Sequence, residues 1–223
     1  MQLIAVKQAR SIWLIYLADL NPRGHNLFPL VPLIIAKYNF LLFPNPNKLE
    51  EFDLQKGIKF ANGGFQKDQQ NNIEVNLTIY NDGFIADTRS STKDSDAFLD
   101  DFLTYLAEEF NLVPYQKIIR TKSYVSELFV RTDKSLNALN PKLEKFAKRL
   151  TSLIEGHSHH PIAFETTGIT FWTDPTITLP PGPFRFERII DIPFSENRYY
   201  SAAPLQTEIH LELLEELENI LSS

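Results

Sequence analysis

The chain of 223 residues contains no cysteine and only eight glycines. Without thiols it cannot form a disulfide, bind zinc or an iron–sulfur cluster through thiolates, or use a cysteine nucleophile. Neither GxxxxGK[ST] nor GxGxxG occurs, so phosphate-binding loops of these two types are excluded. The serine hydrolase motif GxSxG is also missing. These absences remove several common enzyme classes.

The chain also lacks an excess of positive charge and a long uninterrupted apolar run. Its 22 Lys and Arg against 28 Asp and Glu give a net charge of −6, which argues against sequence-independent binding to nucleic acid. The apolar stretch 27–43 contains Lys37, Asn39 and two prolines, whereas a membrane span needs about 20 apolar residues with few or no charges. The apolar stretch 11–20 is interrupted by Asp19 and is not followed by a small-residue cleavage site. We therefore expect a soluble, acidic, cytoplasmic protein that does not bind membranes, and binding to nucleic acid is not favoured.

Hydrophobic residues make up 43% of the chain and aromatic residues 12%, with 17 Phe and 8 Tyr. This content is sufficient for a hydrophobic core and is typical of a globular protein. Because domains usually have about 100–200 residues, the length predicts a single domain over residues 1–223.

Alternation of apolar and polar residues predicts the strands. In residues 73–80 the period of two places Ile73, Val75, Leu77 and Ile79 on one face, which predicts a half-buried strand. The Asn-Asp-Gly sequence that follows predicts a tight hairpin over 73–88, with positive φ at Asp82 and Gly83. We predict further strands in 11–20, 117–131, 161–174 and 184–192.

Helices are predicted from capping residues followed by apolar residues at spacings of three and four. A helix begins at Ser91 or Thr92 and continues to Phe110, and a second begins at Asn140-Pro141 and ends at Gly156. Residues 207–221 predict an amphipathic C-terminal helix. Residues 28–38 fit a short helix or a strand, and Pro29 and Pro32 favour the helix. The order of elements indicates an α+β fold with a mostly antiparallel mixed sheet and three to four helices.

Two clusters of polar residues are candidate metal sites. The sequence GHSHHPIAF brings together His157, His159 and His160, whose imidazoles could bind a divalent metal together with Glu155 or Glu165. However, this cluster lacks the HExxH spacing, and Gly156 and Pro161 equally predict a polar connection between a helix and a strand. The second cluster consists of Asp94, Asp96, Asp100 and Asp101. These carboxylates could bind a cation or could interact with the helix dipole and with water.

Residues 185–204 are rich in arginine and tyrosine, the residue types that are enriched in binding hot spots. The candidate binding residues are Arg185, Arg188, Arg198, Tyr199 and Tyr200. The same segment also fits an ion-paired strand followed by an irregular loop. The basic residues Lys142, Lys145, Lys148 and Arg149 lie on one predicted helix, where they could contact phosphate or simply face solvent.

Two hypotheses about function follow. The first is a non-catalytic protein-interaction or structural subunit of a larger assembly, which binds a protein partner or itself and needs no cofactor. The second is a metal-dependent hydrolase that uses a divalent metal, the histidine cluster and a carboxylate such as Glu165 or Asp174. The first is favoured because no nucleophile, base and orienting group occur at a recognisable spacing.

Overall fold

The computed structural model describes residues 1–68, 71–155, 163–178 and 180–222. Within these ranges the chain forms eight strands and five helices, and the predicted α+β class is confirmed. The strands are β1 (Gln2–Leu14), β2 (Ile58–Gln66), β3 (Asn72–Ile79), β4 (Gly83–Thr88), β5 (Thr121–Arg131), β6 (Gly168–Phe171), β7 (Phe184–Arg188) and β8 (Arg198–Ala203). The helices are α1 (Leu17–Leu20), α2 (Leu30–Tyr38), α3 (Thr92–Phe110), α4 (Pro141–Glu155) and α5 (Thr207–Ser222). In the described part of the chain, no helix has the length and apolar character needed to cross a bilayer.

The chain divides into two compact units. The larger unit comprises Val6–Ser126 and Pro204–Thr207, and the smaller unit comprises Met1–Ala5, Glu127–Ala203 and Glu208–Ser223. Strands β1 and β5 and helix α5 each contribute residues to both units. The expectation of a single domain over residues 1–223 remains a prediction.

The larger unit contains the predicted hairpin, which is confirmed. Its strands follow the order β2-β3-β4-β1-β5, and the pairs β2–β3, β3–β4 and β4–β1 are antiparallel. Leu77 pairs with Ala86 and Ile79 pairs with Phe84. Val75 and Leu77 are fully buried, as the period of two predicts.

The predicted conformation of the hairpin turn is wrong. Positive φ occurs at five described non-glycine residues and two glycines, and neither Asp82 nor Gly83 is among them. The role of Gly83 is instead to allow close approach of strand β1, because a Cβ atom there would lie 2.8 Å from the carbonyl oxygen of Trp13.

The predicted strand 11–20 differs from the observed structure at both ends. Strand β1 already begins at Gln2, and Leu17–Leu20 forms a short helix. The N–H groups of Asp19 and Leu20 both donate to the Tyr16 carbonyl, at 2.9 and 3.1 Å, and Leu20 is fully buried. Residues 30–38 form helix α2, which resolves the ambiguity of this segment in favour of the helix.

Helix α3 covers the sheet of the larger unit. The predicted cap is confirmed, because the Ser91 side chain accepts a hydrogen bond from the N–H of Asp94 at 3.1 Å. The predicted apolar stripe is buried at Phe98, Leu99, Phe102, Leu103 and Leu106. Together with Trp13, Tyr38 and Phe60, these side chains form the core of this unit.

The smaller unit has the strand order β5-β8-β7-β6, in which the pairs β6–β7 and β7–β8 are antiparallel. Strands β6 and β7 are shorter than the strands predicted at 161–174 and 184–192. Strand β8 lies in the segment 185–204, for which one expectation was a strand followed by an irregular loop. Helix α4 begins as predicted, with the Asn140 side chain accepting a hydrogen bond from the N–H of Lys142 at 3.0 Å. The predicted C-terminal helix α5 is confirmed.

We predict that Leu77→Asp unfolds the larger unit. A buried carboxylate without a partner costs several kcal/mol, a large part of a typical total stability of about 5–15 kcal/mol. Circular dichroism and thermal melting will check this, with Lys59→Asp as the control because Lys59 is exposed on the neighbouring strand β2. An unchanged melting temperature for Leu77→Asp would contradict the assignment of this strand face to the core.

Candidate functional site

The five candidate binding residues of the smaller unit lie on two opposite faces of its sheet. Arg185 is exposed on β7, and Arg198 and Tyr200 are exposed or partly exposed on β8. Tyr199 is fully buried and Arg188 nearly so. Consecutive residues of a strand point to opposite faces, so Tyr199 and Tyr200 cannot line the same surface. The structure therefore places three of the five residues together on an accessible face.

Arg188 is held by several groups within the smaller unit. Its guanidinium donates to the Glu165 carboxylate at 3.0 Å and to the carbonyl of Phe194 at 2.9 Å. It also lies over the rings of Phe194 and Tyr199, at 4.4 and 5.3 Å from their centroids. These contacts make Arg188 and Tyr199 part of the interior of this unit rather than part of a free surface.

The accessible face carries Arg185, Arg198 and Tyr200 among acidic and aromatic neighbours. Tyr200 packs against the Phe129 ring at 6.1 Å between centroids. Burial, followed by the nearby carboxylates of Glu127 and Glu187, raises the pKa of Tyr200 to about 12. This face therefore keeps a neutral phenol beside charged side chains.

A serine and a histidine meet inside the smaller unit. The Ser201 hydroxyl lies 2.8 Å from Nε2 of His210 and donates to the carbonyl of Arg185 at 2.9 Å. The distance matches a nucleophile and base pair, but both residues have zero exposure and a substrate cannot reach them. In this conformation the pair connects helix α5 to strand β8 and serves packing.

The four carboxylates of the acidic cluster on α3 each contact a separate donor of the larger unit. The pairs are Asp94 with Lys67, Asp96 with Trp13 and Tyr124, Asp100 with Tyr115, and Asp101 with Tyr38 and Lys37. Although burial raises the pKa of Asp94, hydrogen bonds from Lys67, Ser90 and Ser91 outweigh it and hold that pKa below its usual value. These four carboxylates therefore bind to other side chains of the protein itself.

The histidine cluster His157, His159 and His160 lies outside the described residues, so its metal-binding role remains a prediction. Glu165, one proposed carboxylate partner, is bound to Arg188, and Asp174 is exposed and accepts hydrogen bonds from Thr176. Among the residues that the structure describes, no three His, Asp or Glu side chains are grouped so that they could hold a metal ion.

The larger unit contains two concave sites that the sequence did not indicate. A polar cleft of about 660 Å³ is lined by Lys37, Asn39, Asn62, Glu74 and Asp101, among others. Lys37 pairs with Asp101 at 2.9 Å, so these two charges neutralise one another. A smaller apolar cavity of about 200 Å³ lies beside the Phe28 and Phe52 rings. Asp101 in the polar cleft also accepts a hydrogen bond from the Tyr38 hydroxyl at 2.6 Å, so this carboxylate is bound to side chains of the protein itself.

No family model matches the chain, and no curated protein matches it.

We predict that Arg188→Ala lowers the free energy of unfolding by about 2–4 kcal/mol, because it leaves Glu165 and the Phe194 carbonyl without their donor. The control is Arg198→Ala, whose exposed pair with Glu196 at 3.1 Å is expected to contribute less than about 1 kcal/mol. Urea denaturation of both variants will measure the difference. Equal stabilities would show that Arg188 is not a structural residue.

We predict that the protein loses stability as the pH rises from about 10 to about 12. Burial and the hydrogen bond to Asp100 raise the pKa of Tyr115 to about 12, and the pKa of Tyr200 is also about 12, whereas unfolded tyrosines ionise near pH 10. Folding therefore favours the protonated phenols, and their contribution is complete below pH 10 and is lost as the pH rises through the folded pKa values.

Urea denaturation at a series of pH values will test this dependence. The double variant Tyr115→Phe and Tyr200→Phe is expected to lose stability less steeply between pH 10 and 12 than the parent protein does. A Tyr16→Phe variant, at an exposed position, serves as the control. An identical slope in the double variant and the parent would contradict the prediction.

Proposed function

We propose that this protein is a non-catalytic, cytoplasmic interaction or structural subunit of a larger assembly. It binds a protein partner or a second copy of itself through the smaller unit and needs no cofactor. The observation that carries this proposal is the uneven distribution of apolar side chains between the two units.

Among the described residues, the larger unit buries 21 apolar residues and exposes eight large apolar side chains. The smaller unit buries only eight apolar residues and exposes thirteen large ones. Single exposed apolar residues are ordinary on a protein surface, but a concentration of them marks a surface that another molecule covers. This contrast supports the smaller unit as the region that contacts a partner.

The exposed side chains of the smaller unit include residue types that dominate binding energy. Phe171 and Trp172 at the end of β6 are 65% and 68% exposed. The accessible face of β7 and β8 adds Arg185, Arg198 and Tyr200. Trp, Tyr and Arg are the residues most enriched in hot spots. We infer an interface of standard size, about 1,200–2,000 Å² in total.

The metal-dependent hydrolase hypothesis depends on His157, His159 and His160, which lie outside the described residues. No observation on the rest of the chain favours it. The serine and histidine pair that the structure does bring together is buried, and this supports a structural role for it.

Affinity capture tests the proposal. A tagged copy of the chain is incubated with the native lysate, and the bound proteins and the bound untagged copies of the chain are quantified. The double variant Trp172→Ser and Tyr200→Ala is expected to capture at least about 90% less of a specific partner than the parent does. It removes two hot-spot side chains that together contribute several kcal/mol. The matched control is Leu41→Ser with Phe43→Ala, which changes two exposed apolar residues of the larger unit. Equal capture by the two variants, or no captured protein with the parent, would overturn the proposal.

A further inference from the structure

Helix α4 presents an exposed face that is basic and apolar. Phe146 is 68% exposed and Leu153 is 52% exposed, whereas Ala147, Leu150 and Ile154 are partly buried on the other side of the helix. One strip of this exposed surface carries Lys142, Lys145, Phe146, Arg149, Ser152 and Leu153, and the exposed residues Leu143, Lys148 and Glu155 lie to either side of it. This strip therefore has three cations and no acid. The acidic residue Glu144 lies on a different side and pairs with Lys148 at 2.6 Å.

Helix α5 presents an exposed face of the opposite charge. Ile209 is 46% exposed and Ile220 is 59% exposed, and Leu213 between them is partly exposed. The exposed polar residues of this face are Glu212, Glu215, Glu216 and Asn219. Helix α5 contains no Lys or Arg, so the face has three acids and no opposing basic side chain.

The exposed side chains of α4 and α5 follow one another at the same intervals in sequence. On α4, Lys145, Phe146, Arg149, Ser152 and Leu153 follow one another at the same intervals as Glu212, Leu213, Glu216, Asn219 and Ile220 on α5. In both helices the two apolar side chains lie seven residues apart, which is two turns or about 10.5 Å.

An antiparallel packing of the two helices brings complementary groups together, because equivalent flanks of two facing antiparallel helices lie on the same side of the contact. It aligns Phe146 with Ile220 and Leu153 with Leu213, which joins apolar side chains at both ends of the contact. It also places Lys145 and Arg149 on the same side as Glu212 and Glu216, with Arg149 beside Glu216.

We propose that α4 of one copy of the chain packs against α5 of a second copy, and that this contact drives self-association. The inference rests on the proposed function and names its partner as a second copy of this chain. Contacts between two identical helices are unfavourable. An α4–α4 contact brings cations together, and an α5–α5 contact brings acids together. The contact is therefore specific for the α4–α5 combination.

An anionic membrane is the other surface that a basic, apolar helix face could contact. The large exposed apolar side chains of α4 are only three, Leu143, Phe146 and Leu153. A membrane would leave the matched acidic face of α5 unexplained. The shared spacing therefore favours a protein contact, and vesicle binding is an outcome of the test.

Charge reversal tests the proposal by sedimentation equilibrium of the full chain at up to about 100 µM. One variant carries Lys145→Glu and Arg149→Glu, and the other carries Glu212→Lys and Glu216→Lys. Each alone is expected to associate at least about tenfold more weakly than the parent, because like charges then face each other. An equimolar mixture of the two variants is expected to regain the association of the parent, since opposite charges face again. The control is Lys117→Glu with Glu108→Lys, at exposed positions of the larger unit.

Cysteine trapping provides a second measurement that does not alter charge. The chain has no cysteine, so Ser152→Cys in one copy and Asn219→Cys in another introduce the only thiols. A bismaleimide that spans two helical turns is expected to link the mixed pair and to link either variant alone much less.

Several outcomes would overturn the inference. In sedimentation, the contradicting results are a monomeric parent, variants that associate as strongly as the parent, or a mixture that does not regain association. In a vesicle experiment, the contradicting result is flotation of the parent with phosphatidylserine vesicles that Phe146→Ser abolishes. If the parent is monomeric but still captures a partner through Trp172 and Tyr200, the proposed function stands and only the self-association fails.

Discussion

A buried tryptophan or tyrosine can be packed only if its polar atom finds an acceptor, and the larger unit depends on how this constraint is met. Helix α3 supplies the acceptors as carboxylates. Asp96 accepts from the indole of Trp13 at 2.7 Å and from the phenol of Tyr124 at 3.0 Å, and Asp101 accepts from Tyr38 at 2.6 Å. One helix thereby connects β1, β5 and α2 through polar contacts while its other side fills the core with Phe98 and Phe102. The acidic residues of α3 thus fix the position of the helix against the sheet.

Much of the fold could be predicted where a segment has one clear period. The alternation around Leu77 and the three- and four-residue spacing around Phe102 identify a strand and a helix, because only one face of each element is buried. Strand β2 could not be predicted in this way. Its register with β3 shifts between Phe60 and Gly63, and the Asn62-Gly63-Gly64 sequence at this bulge resembles a turn.

The candidate site could be predicted only in part. Because Tyr199 and Tyr200 are adjacent, they point in opposite directions if 198–203 is a strand. The sequence does not identify this strand, because its small residues give no apolar alternation. The partner of Arg188 lies 23 residues away in the chain, at Glu165. No local pattern contains such a pairing, because tertiary packing creates it. The same holds for the carboxylates of α3, which form a cluster in sequence but bind to different residues of the larger unit.

In the proposed contact between α4 and α5, charge determines which of the exposed apolar surfaces of the smaller unit can pair. An apolar strip alone attracts any other apolar strip, since burial of a large side chain contributes about 1.5–3 kcal/mol whatever it contacts. On α4 every charge beside the exposed Phe146 and Leu153 is positive, and on α5 every charge beside Ile209 and Ile220 is negative. Identical helices therefore repel one another when their apolar strips approach, and only opposite faces combine apolar burial with favourable electrostatics. In the proposed self-association, specificity therefore comes from the helix pairings that the charges make unfavourable.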